Sequence, residues 1–265
     1  MDRDRAIAQF DASVPNPARM YDYYLGGKDN FQADRDAADE VLAVVPEARA
    51  LSVENRAFLR RAVRFLAGEV GVRQFIDLGA GLPTQGNTHE VARAVAPDAR
   101  VAYVDNDPMV VSHGRALLAG DATVMIDADL REPDTVLRHP TVLRHLDLGQ
   151  PVALLLLSIL HFIPDQEDPV GIVARFREAM APGSYLVVSH ASADLYPELA
   201  ERVVRLYERG GSSLAPRSYQ RIAGLFAGMD LVEPGLVRAA DWRPDDPAAD
   251  VPEFGSGYAG VARKP

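Results

Sequence analysis

Between Gln74 and Asp105 the chain passes from an apolar stretch into a glycine turn, through a helical stretch, and into a second apolar stretch that ends in an acid. Gln74-Phe75-Ile76-Asp77-Leu78 reads as a strand that breaks at Gly79-Ala80-Gly81, and Val101-Ala102-Tyr103-Val104-Asp105 reads as the next strand. Glycines let backbone approach a ligand closely, and the helix that follows offers free N–H groups at its N-terminus. An acid at the tip of the next parallel strand is placed to accept hydrogen bonds from ribose hydroxyls. The unit describes a nucleoside site.

The same alternation continues downstream. Strands are expected at 123–126, 152–158 and 185–189, with helices near 87–95, 109–118 and 169–180, the last capped by Asp168 and opened by Pro169. Two further helices are expected near 197–209 and 218–227, and strands 231–237 and 258–262 close the sheet as a hairpin. Upstream, Pro15-Asn16-Pro17 starts a helix over 18–25 that Gly26-Gly27 stops. Helices over 34–45 and 52–66 follow, with Ser52 as an N-cap. The pattern predicts an α/β, doubly wound, Rossmann-like fold. Its sheet is mostly parallel and seven-stranded, with a C-terminal antiparallel hairpin. Residues 1–70 form an N-terminal helical cap or lid of the same domain, and residues 71–265 form the ligand-binding part.

A dinucleotide fingerprint needs a third glycine where the helix packs on the strand. Here that position is Thr84, after Pro83. Asp77, two residues before the first glycine, suits a ligand carrying an ammonium and a sulfonium better than a pyrophosphate. Asp77-Leu78-Gly79-Ala80-Gly81 resembles the first motif of the class I methyltransferases that use S-adenosylmethionine (SAM).

Composition narrows the classes further. A chain of 265 residues with no cysteine builds its core without disulfides or thiolate metal sites. Met1-Asp2-Arg3-Asp4-Arg5 lacks the apolar region of a signal peptide. The longest apolar run, 152–157, is too short to span a bilayer and reads as a strand buried on both faces. A cytoplasmic, membrane-free protein is expected. The net charge of −10 opposes general nucleic-acid binding. Six histidines without HExxH spacing predict no metal. Among 28 basic residues only Lys28 and Lys264 are lysines, so Lys28 is either a chosen compact ammonium or a plain surface charge.

Four successive strand ends carry suggestive residues: Gly79 and Gly81, then Asp105, then Asp129 with Leu130, then Ser158 with Leu160 and His161. Ligands in such sheets sit at those ends. Singly, each has a plain structural explanation; together they favour the nucleoside site.

At the level of longer motifs, residues 17–31 (PARMYDYYLGGKDNF) resemble the opening signature of a bacterial S-adenosyl methyltransferase family, formerly a domain of unknown function. Asn55–Leu59, Gly81–Thr84, Val104–Pro108, Ala128–Arg131, Leu160–Pro164 and Leu231–Val237 are similar to its later motifs. The resemblance runs from about Pro15 to the C-terminus. It implies SAM as cofactor, with Gly79, Ala80 and Gly81 passing the methionine and ribose, and with Asp77 orienting the amino group directly or through water. It further implies that Asp105 takes the ribose hydroxyls and that Asp129 and the Leu130 amide meet the adenine. Asn106 and Met109 would pack near that base, with Ser158 at the end of the fourth strand. Tyr21, Tyr23, Lys28 and Asn30 would close over the donor as a lid; the alternative for the aromatics is a helical core stripe shared with Met20 and Tyr24.

Methyl transfer from a sulfonium needs alignment and a dry pocket, worth roughly 7–11 kcal/mol, and gains from a general base when the acceptor is a hydroxyl or ammonium. His161 is the first candidate base and His190 the second, with a structural role for His161 equally open. The expected acceptor is a small molecule, with 191–228 shaping its pocket and Tyr196, Tyr207, Arg217 and Tyr219 available to line it. Two rivals stand: a non-catalytic SAM-binding regulator, and an NAD-dependent oxidoreductase that lacks a convincing Tyr-x-x-x-Lys pair.

Overall fold

Apolar residues alternate faces along the central strands, and each face has its own helices to bury against. The computed structural model describes residues 11–83, 86–117, 120, 122–246, 255 and 257–265. Its strands are β1 (Gln74–Leu78), β2 (Arg100–Asp105), β3 (Thr123–Asp127), β4 (Ala153–Leu157), β5 (Tyr185–Ala191), β6 (Asp230–Leu231), β7 (Val237–Arg238) and β8 (Gly257–Arg263). They form one sheet in the order β3-β2-β1-β4-β5-β8-β6, with β7 also paired to β8. The first five are parallel and β8 runs antiparallel to β5. The strand order reverses between β1 and β4, where an open α/β sheet leaves a crevice at its carboxyl edge.

The helices are α1 (Pro17–Tyr24), α2 (Gln32–Val44), α3 (Ala48–Arg64), α4 (Thr88–Val95), α5 (Pro108–Leu117), α6 (Pro133–Leu137), α7 (Pro140–His145), α8 (Pro169–Ala179), α9 (Pro197–Arg209) and α10 (Tyr219–Gly224). Ile76, Leu78, Leu154 and Leu156 join the core with α6, α7, α8 and α10, while Phe75, Ala153 and Leu155 join that with α3 and α4. A third, smaller cluster holds Met20, Tyr24, Ala38 and Val41, packed against Val203, Leu206 and Tyr207 of α9. The N-terminal helices are thus tied to a helix some 180 residues later in the chain.

Four expectations need correction. The sheet has eight strands, because the stretch 231–237 divides into β6 and β7. Pro234 offers no N–H and Gly235 turns with φ +92°, its N–H donating to the Val232 carbonyl. Helix α3 starts at Ala48, so Ser52 lies inside it and its hydroxyl donates to the Ala48 carbonyl instead of capping. Helices α6 and α7 fill a segment for which the sequence gave no element. Strand β5 runs two residues past Ser189, through His190 to Ala191. Among the described residues no helix is long and apolar enough to cross a membrane, and no His, Asp or Glu cluster is placed to hold a metal. Met1–Arg5, Thr84 and Leu118 lie outside the described residues.

Candidate active site

The end of β1 is stitched to the end of β2. Gly79 and Ala80 donate to the Val104 carbonyl, and the Gly81 N–H donates to Asp105 Oδ2 at 2.9 Å. Asp105 Oδ1 accepts from the Asp107 N–H at 2.9 Å. Both glycines are left-handed, at φ +67° and +66°. A Cβ on Gly79 would lie 2.3 Å from the Ile159 side chain, whereas one on Gly81 would enter open space. Gly79 is therefore required by packing, and Gly81 keeps a cavity clear.

Asp77 sits just below this turn, 6% exposed, accepting from the Thr88 hydroxyl of α4 at 2.7 Å. Burial pushes its carboxyl up to about 6, against the pull of the Thr88 hydrogen bond and the Arg56 charge. Burial also raises Asp105 to about 6, opposed by its backbone donors. Two carboxylates held this far above 3.8 at the mouth of a glycine turn are poised to gain cationic or hydroxyl partners.

A cavity of about 500 Å³ opens above these groups, lined by Asp77, Gly79, Ala80, Gly81, Asp105, Asn106, Ser158 and His161. A second hollow of about 180 Å³ continues past Gly79, Asp105 and Asn106 to Asp129, Leu130 and Arg131. Asp129 is gripped there by Arg131, Nη2 to Oδ2 at 2.6 Å, and by Asn106 at 2.9 Å. Burial raises the Asp129 carboxyl, and these donors more than reverse that. The predicted strand-end residues thus converge on two adjoining hollows. Their combined shape fits SAM: an elongated chamber with acids beside a tight backbone turn, leading to a narrow slot floored by Ala128 and Leu130.

The N-terminal residues divide. Tyr21 lines the cavity; its hydroxyl donates to the Ser52 carbonyl at 3.0 Å and accepts from Asn55 at 2.9 Å. Tyr23 turns away, bonding Asp39 at 3.0 Å with Arg49 stacked 4.5 Å over its ring. Lys28 is exposed, and neither it nor Asn30 lines the cavity. Asn30 serves the turn below instead: its amide and the Asp29 N–H both donate to the buried Asp22 carboxylate at 2.9 Å. A Cβ on Gly27 would collide with that carboxylate at 1.9 Å, so Gly26–Asn30 is a turn built around Asp22. Met109 lines neither hollow, and its N–H donates to Asp107.

Sequence reasoning gave no role to Asn55, Arg56, Asn16 or Ser189. The Asn16 side chain caps α1 and also donates to Asp107 at 2.8 Å, holding α1 over the carboxyl edge of the sheet. Ser189 donates to Asn55 Oδ1 at 2.6 Å and accepts from the Ser158 N–H at 3.0 Å, Ser158 being left-handed at φ +53°. A relay of Tyr21, Asn55, Ser189 and Ser158 so connects the helical cap to β4 and β5. The one signal for Ser189 was its place as the first polar residue after the apolar run of β5.

His161 lines the cavity, but its Nδ1 accepts from the Ala191 N–H at 3.3 Å, which leaves the proton on Nε2. Burial, with the nearby His190 and Arg217, holds it well below 6.5. His190 donates through Nδ1 to the Ala191 carbonyl and accepts at Nε2 from Arg217 at 2.8 Å. Each ring lone pair is therefore engaged, and His161 offers the cavity a donor instead of a base. Arg217 is buried under the site, gripping the Leu160 and Ile163 carbonyls and Asp165. Tyr196 and Tyr207 line the cavity; Arg217 and Tyr219 do not.

Comparison with known proteins gives the same direction. The family model of the S-adenosyl methyltransferases matches residues 3–265. A crystal structure of a DUF574-family protein from Streptomyces avermitilis is 41% identical, with TM-score 0.92, covering 96% of this chain and 99% of that one. A candidate methyltransferase from Thermobifida fusca is 46% identical, with TM-score 0.89 and 96% coverage of both chains. An O-methyltransferase family protein from Burkholderia thailandensis, 14% identical over 84% of this chain and 61% of its own, shares the fold at TM-score 0.51. No curated protein matches. With acids, glycine turn and twin hollows at the carboxyl edge of such a sheet, this chain belongs to the S-adenosyl methyltransferase family and is a SAM-dependent methyltransferase.

Proposed function

We propose that the protein methylates a small molecule, held in the part of the 500 Å³ cavity that lies beyond the donor, under α1 and α9. The observation that carries this reading is the roof. Asn16 and Tyr21 of the N-terminal segment and the α9 residues Leu199 and Val203 all line the same cavity, which favours an acceptor that enters whole.

SAM supplies a methyl group on a sulfonium, which leaves as a neutral thioether when the acceptor's lone pair forms the new bond to carbon. The chain's part is to bind, orient and exclude water. Asp77 would take the ammonium, with Arg56 close by on α3. Asp105 would accept from the ribose hydroxyls, and the Gly79–Gly81 turn would let the donor lie against backbone. Asp129 and the Leu130 N–H would meet the adenine, Asp129 being already oriented by Arg131 and Asn106. His161 would position the acceptor through Nε2–H. Residues 15–31 would act as a lid through Asn16 and Tyr21.

The test is transfer of labelled methyl from SAM in a bacterial extract separated into fractions below and above 1 kDa. Label in the small fraction is the expected outcome. Label confined to protein or nucleic acid would overturn the small-molecule reading.

A further inference from the structure

From the aromatic row and the uncharged wall of the cavity, we propose that the acceptor is an uncharged, flat aromatic molecule that bonds the Tyr24 hydroxyl. This rests on the small-molecule reading above.

Helix α9 turns its apolar face inward: Leu199, Ala200, Val203 and Tyr207 line the cavity, while Glu198, Glu201, Arg202 and Arg205 are exposed. No residue of α9 is fully buried. A helix with so apolar a face and so little of it covered by protein is facing a space that something apolar fills. The charged groups of the cavity lie elsewhere, with Asp77, Asp105 and Arg56 at the donor end and Arg238 paired to Asp241.

An aromatic row leads from the donor end to this wall. The His161 and Phe162 rings are 4.5 Å apart, and Phe162 lies 5.7 Å from Tyr207, tilted by 48°. Tyr207 in turn packs on the cluster that contains Tyr24. Ring spacings of this kind are those at which a further flat ring stacks favourably. Tyr24 is 6% exposed and lines the cavity, and its hydroxyl is buried with no hydrogen-bond partner. Buried hydroxyls are nearly always bonded, so one left bare at a cavity wall marks where a ligand's polar atom belongs. Burial, and the Tyr207 phenol beside it, keep this phenol protonated far beyond neutrality, so it is a neutral donor and acceptor that selects no charge.

The experiment uses the full-length protein saturated with S-adenosylhomocysteine, with binding of three probes measured by calorimetry. The probes are 1-naphthol, 1-naphthyl phosphate (the same ring, charged) and decahydro-1-naphthol (the same hydroxyl on a ring system that is not flat). We expect 1-naphthol to bind at least about tenfold more tightly than either of the others. Tyr24→Phe should weaken it about 2- to 10-fold, the range of one hydrogen bond. Val203→Trp, which fills the slot from a half-exposed position, should abolish naphthol binding while S-adenosylhomocysteine still binds. Equal binding of the phosphate or the saturated alcohol would overturn the proposal, as would naphthol binding indifferent to either substitution. If wild-type protein fails to bind S-adenosylhomocysteine, the donor-site assignment has failed instead. If it binds but the methyl label goes only to macromolecules, the small-molecule reading has failed.

Discussion

Gly79 and Gly81 share a left-handed backbone but differ in what an added methyl group would meet. Gly79→Ala forces a Cβ to within 2.3 Å of Ile159, besides the left-handed strain of roughly 1–2 kcal/mol. It should lower the melting temperature by several degrees or prevent folding. Gly81→Ala incurs the strain alone and places its methyl group in the cavity, so that variant should fold and lose at least tenfold in SAM affinity. Melting curves and calorimetry on the pair check this; a Gly81→Ala protein that binds SAM normally would remove the turn from the donor site. Asp77 and Asp105 give a pH signature. In the folded protein both stay protonated up to about pH 6, against 3.8 when exposed. The folded state thus holds extra protons between about pH 4 and 6, and the stability these groups lend is lost as pH rises through 6. A ligand ammonium beside Asp77 favours the carboxylate, so SAM binding should expel protons in that window. Affinity should rise from pH 5 to pH 7, where the ligand's own amino group, of pKa about 7.7–8.0, is still charged. Calorimetry in buffers of different ionisation heat reads that proton release. The two acids were legible as strand-end acids, but their raised pKa values come from burial under α1, α3 and α4, which no local pattern encodes.

Helix α1 was legible as a helix, since Asn16-Pro17 is a cap followed by the residue best suited to the first turn. Its placement was not. Asn16 reaches Asp107 across 91 residues, and Arg19 is buried against Asp34 at 2.7 Å. Removing residues 1–31 would strand Asp34 as an unpaired buried charge, at a cost of about 3–5 kcal/mol, so a point change tests the lid more cleanly. Asn16→Ala loses the cap, about 1 kcal/mol, and the tie to Asp107. It should speed SAM dissociation severalfold in a folded protein, as followed by stopped-flow fluorescence. An unchanged dissociation rate would make α1 cladding. For the aromatics of α1, both sequence readings hold at once. Met20 and Tyr24 enter the small core, Tyr21 faces the cavity, and Tyr23 lies on the outer side with Asp39 and Arg49. Residues one position apart on a helix diverge by about 100°, so one stripe was never going to place all three tyrosines alike.

For the whole molecule, ligand linkage gives the plainest check. S-adenosylhomocysteine at about 100 times its Kd should stabilise the fold by about 2.7 kcal/mol. For a chain of this size that is a rise of roughly 5–11 °C in melting temperature, and NAD at the same concentration should give none. Equal shifts from both would reopen the dinucleotide reading. The order of elements from β1 to β5, the acids at the strand tips and the glycine turn were all readable, because each depends on periodicity and on residues whose conformational needs are local. The late strand was misread because apolar residues at 231, 232, 236 and 237 imply continuity, while the turn at Glu233-Pro234-Gly235 decides against it. Lys28 drew notice by rarity alone, and the fold leaves it in solvent. Asn55, Ser189 and Tyr24 acquire meaning only once three distant segments meet, as does the engagement of both histidine lone pairs. The sequence by itself determined which stretches are strands and helices and which backbone turn meets the donor, since period and glycine act within a few residues. Tertiary structure alone decided which polar groups are buried, paired or left bare beside the cavity, because burial and hydrogen bonding depend on what packs on them from elsewhere in the chain.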